Sequence, residues 1–589
     1  MKILLAACNA KYIHSNLAVY NLKAYANQYK EHIILKEYTI NQLKDDIMKD
    51  IYLEEPDVIC VSCYIWNISF VKELMRDLHK IMPDVPIWAG GPEVSFDAQD
   101  FLRENPAFAG VMVGEGEETF LELFRYYAEG GAGEGKYTCT GNADNPETAD
   151  AGGKTLAQIR GIAFREGDEI RHNGWRDTMD LSTVPFAYQD LKEFQNRIIY
   201  YESSRGCPFS CSYCLSSVDK KLRFRDLELV KKELQFFLDH KVPQVKFVDR
   251  TFNCKHDHAM AIWTYIAEHD NGITNFHFEI SADLLREEEL SLMQTMRPGL
   301  IQLEIGVQST NPDTIRAIHR TMDFGKLSAI VNRIHSFGNI HQHLDLIAGL
   351  PFEDYESFRR SFDDVYALRP QQLQLGFLKV LKGSHMKEME AEYGIIHKEQ
   401  EPYEVLSTNW LSYRDVLRLK MVENMVEVYY NSGQFENTLR TIEPLFADAF
   451  SLYEALGCFY EEKGYDTVSH SRMRRYEILL EFVRERLDER MDRPGQQEME
   501  GTGQSHLCSW EQAADAMVHD LYLRENLKSR PSFGMDQKPY EKAVWEYRRR
   551  ENVDRTSHIE VFRDGRVLLF DYTKRDPLMH NACVTEISL

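Results

Sequence analysis

The chain has 589 residues, 43% of them hydrophobic and 28% charged, a composition typical of folded globular proteins and a length too great for one domain. A formal net charge of −24 argues against general nucleic-acid binding, which draws on a surplus of lysine and arginine. No apolar run approaches the ~18 residues that span a bilayer, so a cytoplasmic setting is expected.

The first stretch alternates strand and helix signals. Apolar runs at Ile3–Ala7, Ile33–Tyr38, Val58–Ser62, Ile87–Ala89 and Val111–Val113 are separated by amphipathic segments such as Leu17–Tyr29, Ile68–Met82 and Thr119–Tyr127. This pattern predicts a doubly wound parallel sheet. Ligands of such sheets sit beyond the carboxyl ends of the strands. Those ends carry Asn9–Asn16, Cys63–Asn67, Gly90-Gly91-Pro92-Glu93 and Gly114-Glu115-Gly116-Glu117. Ile3–Ala7, cut short by Asn9 and Lys11, reads as the first strand and not as a signal peptide.

Gly130–Lys154 is polar and Gly-rich and reads as an insertion. Gly161–Asn173 predicts a hairpin turning at Gly167-Asp168, and Asp180–Pro185 a linker. Strand signals then recur at Ile198–Ser203, Val245–Val248, His277–Ile280, Ile301–Glu304, Leu344–Ile347 and Leu373–Phe377. Helical segments such as Leu227–Asp239 and His258–His269 separate them, and six such units suit an open or partial barrel. From Glu401 to Asp492 the pattern is helical, with long runs at Val416–Tyr430 and Met473–Met491. Arg493–Gln504 reads as a linker and His558–Leu569 as a closing hairpin. The expected division is 1–130, 131–190, 191–400 and 401–589.

Of eleven cysteines, three fall within Cys207-Pro208-Phe209-Ser210-Cys211-Ser212-Tyr213-Cys214. In a reducing compartment clustered cysteines point to metal binding or catalysis. Three thiolates in one loop can wrap an iron–sulfur cubane and leave one iron without a protein ligand. An open position of that kind separates a reactive metal site from a structural one. Zinc would want a fourth ligand, and none lies nearby in sequence, although Cys254 could approach in the fold.

C-x₃-C-x₂-C with Tyr213 before the last cysteine resembles the cluster motif of the radical S-adenosylmethionine (SAM) superfamily. The resemblance implies a [4Fe–4S] cluster on Cys207, Cys211 and Cys214, with the amino and carboxylate groups of SAM chelating the open iron. One electron, from a reductant such as flavodoxin or ferredoxin, then gives a 5′-deoxyadenosyl radical. Leu303–Ser309 is similar to the E-x-G-x-Q-S segment of these families, Asp345–Pro351 to their D-x-I-x-G-L-P segment, and Phe247–Phe252 to the segment beside the SAM methionyl group. Tyr213, Asp249, Glu304, Gln308 and Asp345 are thereby implied in SAM binding. His341 and His343 share one face of a strand, which by itself says nothing of a metal.

A Rossmann-like domain ahead of such a barrel resembles the cobalamin-binding subclass, through its G-G-P and G-E-G-E segments. That implies a cobalamin site at His14, Ser62, Gly90, Gly91, Pro92, Gly114, Glu115, Gly116 and Glu117. Tyr12–Leu17 departs from the cobalt-ligating D-x-H-x-x-G motif, lacking its Asp and Gly. As a whole the chain resembles an uncharacterised subfamily with its own helical C-terminal domain. The implied activity is methylation or rearrangement of an unknown substrate. A methylthiotransferase, the rival, needs three further cysteines in the first domain; Cys8 and Cys63 fall near strand ends, but Cys60 falls mid-strand. A non-catalytic iron–sulfur or zinc protein is the other alternative.

Overall fold

The computed structural model describes residues 1–128, 155–491 and 508–589. The expected insertion Gly130–Lys154 and linker Arg493–Gln504 lie outside them. The chain forms two compact units. The first holds Met1–Leu292, Arg316–Thr321 and Phe377–Thr408; the second holds Met293–Ile315, Met322–Gly376 and Asn409–Leu589.

In the first unit five parallel strands, β1 (Ile3–Asn9), β2 (Ile33–Thr39), β3 (Val58–Ser62), β4 (Ile87–Gly90) and β5 (Gly110–Met112), pair in the order β2-β1-β3-β4-β5. Every residue of β1 and β3 is buried, as befits strands covered on both faces. Successive side chains therefore feed two cores, Leu4, Ala6 and Cys8 on one face and Ile3, Leu5 and Ala7 on the other. Helix Ile68–Ile81 shows why these segments coil: Ile68, Val71, Leu74, Met75 and Leu78 recur every three or four residues and bury one stripe. The hairpin forms as β6 (Ile162–Glu166) and β7 (Glu169–His172), and β6 extends the sheet antiparallel to β5. The helix expected over Leu17–Tyr29 ends at Tyr25, and a 3₁₀ segment Asn27–His32 follows. Such tightening is common at helix C-termini.

The same unit continues with β8 (Ile199–Tyr201), a short antiparallel pair β9 (Ser204–Arg205) and β10 (Arg223–Phe224), then β11 (Gln244–Phe247) and β12 (Asn275–Ile280). β8, β11 and β12 lie side by side and parallel. β9 and β10 bracket the cysteine loop. In the second unit β13 (Ile301–Gln308), β14 (His341–Ala348) and β15 (Gln372–Phe377) are neighbours, with β13 and β14 parallel.

The rest of the second unit is helical. Helix Tyr413–Met425 runs into a π-helical turn Val426–Asn431 where a single helix was expected to Tyr430. Helices Glu436–Ile442, Ala449–Lys463, Arg472–Met491 and Trp510–Arg524 follow. The terminal hairpin is part of a three-stranded sheet, His558–Val561, Val567–Arg575 and Ala582–Glu586. The last strand exposes most of its side chains, so no apolar alternation announces it in the sequence.

One buried carboxylate ties this helical part together. Helix Glu436–Ile442 has no capping side chain of its own. Asp520 substitutes, accepting from the Asn437 and Thr438 amides at 3.1 and 2.8 Å, and from Asn437 Nδ2 and Thr438 Oγ1, both at 2.7 Å. Asp520→Ala strands these donors in a buried site and should cost about 3 kcal/mol. Thermal unfolding should show a clearly lowered midpoint, and an unchanged Tm would contradict this role.

Candidate functional site

The cysteine loop starts where β8 ends, and a buried aspartate fixes that point. β11 runs beside β8, and Val248 N still donates to Tyr201 O at 2.9 Å. The next residue, Asp249, is fully buried. Its carboxylate accepts from Ser203 N at 2.9 Å, Ser203 Oγ at 2.7 Å and Ser204 Oγ at 2.5 Å. The Ser203 hydroxyl lies 3.1 Å from His258 Nε2, and burial holds His258 neutral with a pKa lowered to about 4. Burial also pushes the Asp249 carboxyl up to about 6, against the pull of its three hydrogen bonds. The oxygens of Asp249, a residue the resemblance places beside SAM, secure the start of the loop.

Beyond Ser204 the chain must turn sharply, and Gly206 makes this possible. It sits at φ +87°, and a Cβ there would lie 2.6 Å from the Lys221 carbonyl oxygen. Further backbone bonds hold the loop: Cys207 N to Asp219 O at 3.2 Å, Cys214 N to Cys211 O at 3.1 Å, and Ser212 N to Ile318 O at 2.9 Å. Met386 N donates in turn to Ser212 O at 2.8 Å. Cys207 and Cys211 are buried and Cys214 half-buried. Cys207 Sγ lies 3.7 Å from Thr251 Oγ1. Arg320 Nη1 approaches Cys211 Sγ at 3.7 Å and Tyr213 Oη at 3.4 Å. Burial raises the Cys211 thiol pKa, while Arg320 draws it down. Cys254 is half-buried, and its thiol, raised to about 11, feels Cys207 among its neighbours.

The glycine- and glutamate-rich loops beyond the first sheet take two different roles. Gly91 sits at φ +117°, where a Cβ would come within 2.4 Å of the Cys63 carbonyl oxygen. Pro92 opens a short helical turn. Ser62 Oγ accepts from Asn16 Nδ2 at 3.1 Å. Gly114, at φ +77°, lies against Trp175, and Gly116 against Leu22. Glu115 and Glu117, which the resemblance places at a cobalamin rim, pair with arginines. Glu115 pairs with Arg223 and Glu117 with Arg205, the two flanking arginines of the cysteine loop. Arg205 also reaches Glu202 at 2.9 Å. Thus these glutamates strap the first sheet to β9 and β10.

His14 is likewise engaged. Its Nδ1 meets Tyr200 Oη at 2.7 Å, and Ile198 N donates to Ile13 O at 2.8 Å. Burial, with Lys11 and Lys246, lowers its pKa. Sequence reasoning missed the neighbouring Glu37, which accepts from Asn16 N at 2.7 Å, Asn9 Nδ2 at 2.8 Å and Tyr20 Oη at 2.6 Å, and which pairs with Arg197. It also missed an aromatic rim. Tyr12, Trp66 and Trp175 are 61%, 45% and 45% exposed, and Tyr64 stacks on Trp66 with centroids 4.4 Å apart. Exposed aromatic rings in the loops beyond parallel strands suit an apolar ligand face. A separate cavity, lined by Met1, Asp57, Pro86, Trp88 and Tyr127, opens at the opposite strand ends, away from these loops.

Cys8, Cys60 and Cys63 are all buried. Cys8 and Cys63 enter one core and Cys60 the other, and burial alone raises Cys8 and Cys60 to about 12. They do not converge, and the second cluster of a methylthiotransferase has no ligand set here among the described residues.

In the second unit Glu304, His343 and Asp345 bring one ligand atom each to within 4.8 Å of one another. The strand register explains this, since Glu304 faces His343 across β13 and β14, and Asp345 follows two residues later on the same face. His343 Nε2 lies 3.0 Å from Asp345 Oδ1. His341 is not in this group. Gln308 adopts φ +73°, and its Oε1 is buried with no hydrogen-bond partner among the described residues, as expected of a group awaiting a polar ligand. Glu353, unremarked in the sequence, holds Ser309 Oγ at 2.6 Å and Ser361 Oγ at 2.9 Å behind that strand end, and burial lifts its pKa to about 7.

With this geometry in view, three family models match: the B12 binding domain over residues 3–124, the radical SAM superfamily over 201–365, and a domain of unknown function, DUF4080, over 391–566. The chain joins a B12 binding domain to a radical SAM domain. Strands β11–β14 lie within the radical SAM match, and the helices from Tyr413 to Arg524 within the DUF4080 match. Two curated relatives are the cobalamin-dependent radical SAM methyltransferase TokK of Streptomyces tokunonensis, 27% identical over 340 residues, and the 2-(S-pantetheinyl)-carbapenam-3-carboxylate methyltransferase of Streptantibioticus cattleyicolor, 25% identical over 327 residues. Each match covers 52% of this chain and 44% of the relative, so the chain spans under half the length of either. A solved structure of the cobalamin-dependent SAM radical enzyme OxsB, with aqua-cobalamin and SAM bound, matches 94% of this chain and 81% of its own at a TM-score of 0.59 and 14% identity. That likeness shows the fold. No helix among the described residues is long and apolar enough to cross a membrane.

The buried carboxylate at the root of the loop gives a pH signature. Its folded pKa, about 6, exceeds the ordinary 3.8, so its contribution to stability is fully present below about pH 4 and is lost as pH rises through about 6. Asp249→Asn removes this titration. The wild-type minus variant unfolding midpoint, measured on the cluster-free chain, should fall between pH 4 and 6 and be flat above 7. A difference that rises over that window would contradict the assignment.

Proposed function

We propose that this chain is a cobalamin-dependent radical SAM enzyme that transfers a methyl group to an unidentified substrate. The observation that carries the reading is the cysteine loop: three thiols within eight residues, held in a buried loop by Asp249 and Gly206, in a chain with a B12 binding domain. Methyltransferase relatives favour methylation over rearrangement.

The donor set suits the groups proposed. Cys207, Cys211 and Cys214 would hold three irons of a [4Fe–4S] cluster and leave the fourth for SAM. Together the cluster, SAM and cobalamin would supply one-electron cleavage of a sulfonium bond and a transferable methyl group. The protein's own part is to bind and orient. Glu304 and Asp345 offer acceptors to ammonium and hydroxyl groups, and His343 Nε2 lies 3.0 Å from Asp345 Oδ1. Gln308 offers its buried Oε1 to a donor. Tyr12, Trp66 and Trp175 would lie against the corrin, and the tight turns at Gly91 and Gly114 shape its loops. His14 belongs to this reading as a loop anchor through Tyr200, with Glu115 and Glu117 as straps. Pro92, Gly90, Gly116 and Ser62 complete the strand-end surface. A flavodoxin or ferredoxin would deliver the electron. The charge of −24 disfavours a nucleic-acid substrate.

The test uses protein reconstituted without oxygen, with SAM, a reductant and cobalamin. 5′-Deoxyadenosine should form with wild type and disappear with Cys211→Ala, and cobalamin should stay bound through gel filtration. An intact cluster that neither binds nor cleaves SAM would overturn the reading. With the true substrate, S-adenosylhomocysteine should accompany deoxyadenosine; its absence would exclude methyl transfer.

A further inference from the structure

We infer that Arg320 is a positioning residue for the cluster, and that its fixed positive charge beside Cys211 makes the cluster easier to reduce. This rests on the reading of Cys207, Cys211 and Cys214 as cluster ligands. Arg320 comes from a segment more than a hundred residues beyond the loop, yet that segment docks on it: the Ile318 carbonyl accepts from Ser212 N at 2.9 Å. His319 then adopts φ +54°, a left-handed turn uncommon outside glycine. Arg320 Nη1 thereby reaches Cys211 Sγ at 3.7 Å, and Tyr213 Oη, at 3.4 Å, accepts from the same nitrogen and orients it.

The chemistry follows from charge. Reduction transfers one electron from the donor to the cluster, which becomes more negative by one unit while the donor is oxidised. An adjacent cation stabilises the reduced form more than the oxidised one, and N–H···S contacts act in the same direction. A guanidinium keeps its charge at any working pH, and in a partly buried site that charge is screened less than at the surface. Arg205 and Arg223, which flank the loop, are neutralised by Glu117 and Glu115, and Lys220 is exposed, its Nζ donating to Phe209 O at 2.6 Å and Ser210 Oγ at 2.8 Å. Water and salt screen it, so Arg320 carries the effect.

Wild type, Arg320→Lys and Arg320→Gln would be reconstituted, assayed for iron and sulfide, and titrated by electron paramagnetic resonance without SAM. Arg320→Gln should have a more negative midpoint, with the ratio of reduced to oxidised cluster about tenfold lower at the wild-type midpoint potential, about 59 mV for one electron. Arg320→Lys, which retains the charge, should stay near wild type. An unshifted Arg320→Gln would overturn the inference while leaving the cluster reading intact. So would an Arg320→Lys midpoint as negative as that of Arg320→Gln. If Arg320→Gln takes up no iron, Tyr213→Phe decides: loss of the hydroxyl at 3.4 Å should shift the midpoint the same way by less, and no shift would overturn the inference. Absence of any cluster in wild type would remove the reading on which it rests.

Discussion

The cysteine loop depends on one buried carboxylate. Asp249 holds two successive serines at the end of β8, and from that anchored point the chain turns at Gly206 and lays out three thiols. A charged group with no solvent exposure is costly unless its oxygens are satisfied. Here three hydrogen bonds offset part of that cost and fix the strand end. A reactive metal loop must be rigid enough to hold its metal and open enough to admit a second ligand. Asp249 and Gly206 supply the first property without adding a fourth thiolate.

The two glutamates of the Gly114–Glu117 segment extend the same logic outward. By pairing with Arg205 and Arg223 they tie the B12 binding domain to the two strands that bracket the cysteine loop. His14 and Tyr200 make a second tie, and Glu37 with Arg197 a third. Partly buried arginine–carboxylate pairs are valued more for the geometry they fix than for net stability. Together with the His14–Tyr200 contact they join the loops of the first sheet to the segments on either side of β8.

Much of this was legible in the sequence, for identifiable reasons. Fully covered parallel strands leave continuous apolar runs, so β1 to β5 stood out, and the cysteine spacing is local by nature. The roles of Asp249, Glu115, Glu117 and His14 were not legible. Each sits in a segment that resembles a ligand-binding motif, and its side chain meets a partner 45 to 186 residues away. Glu37, Glu353 and Arg320 gave no local signal at all, because what defines them is a long-range contact. The short, exposed final strand and the π-helical turn after Met425 escaped for the opposite reason: neither has a periodicity of its own.

In the proposed enzyme three protein thiolates would leave one iron of the cluster open to SAM. Electron–nuclear double resonance on the reduced cluster tests it directly, with SAM carrying ¹⁵N in its amino group or ¹⁷O in its carboxylate. Hyperfine coupling from both labels is the expected result. An intact [4Fe–4S] cluster whose spectrum shows neither label, with SAM in excess, would contradict it.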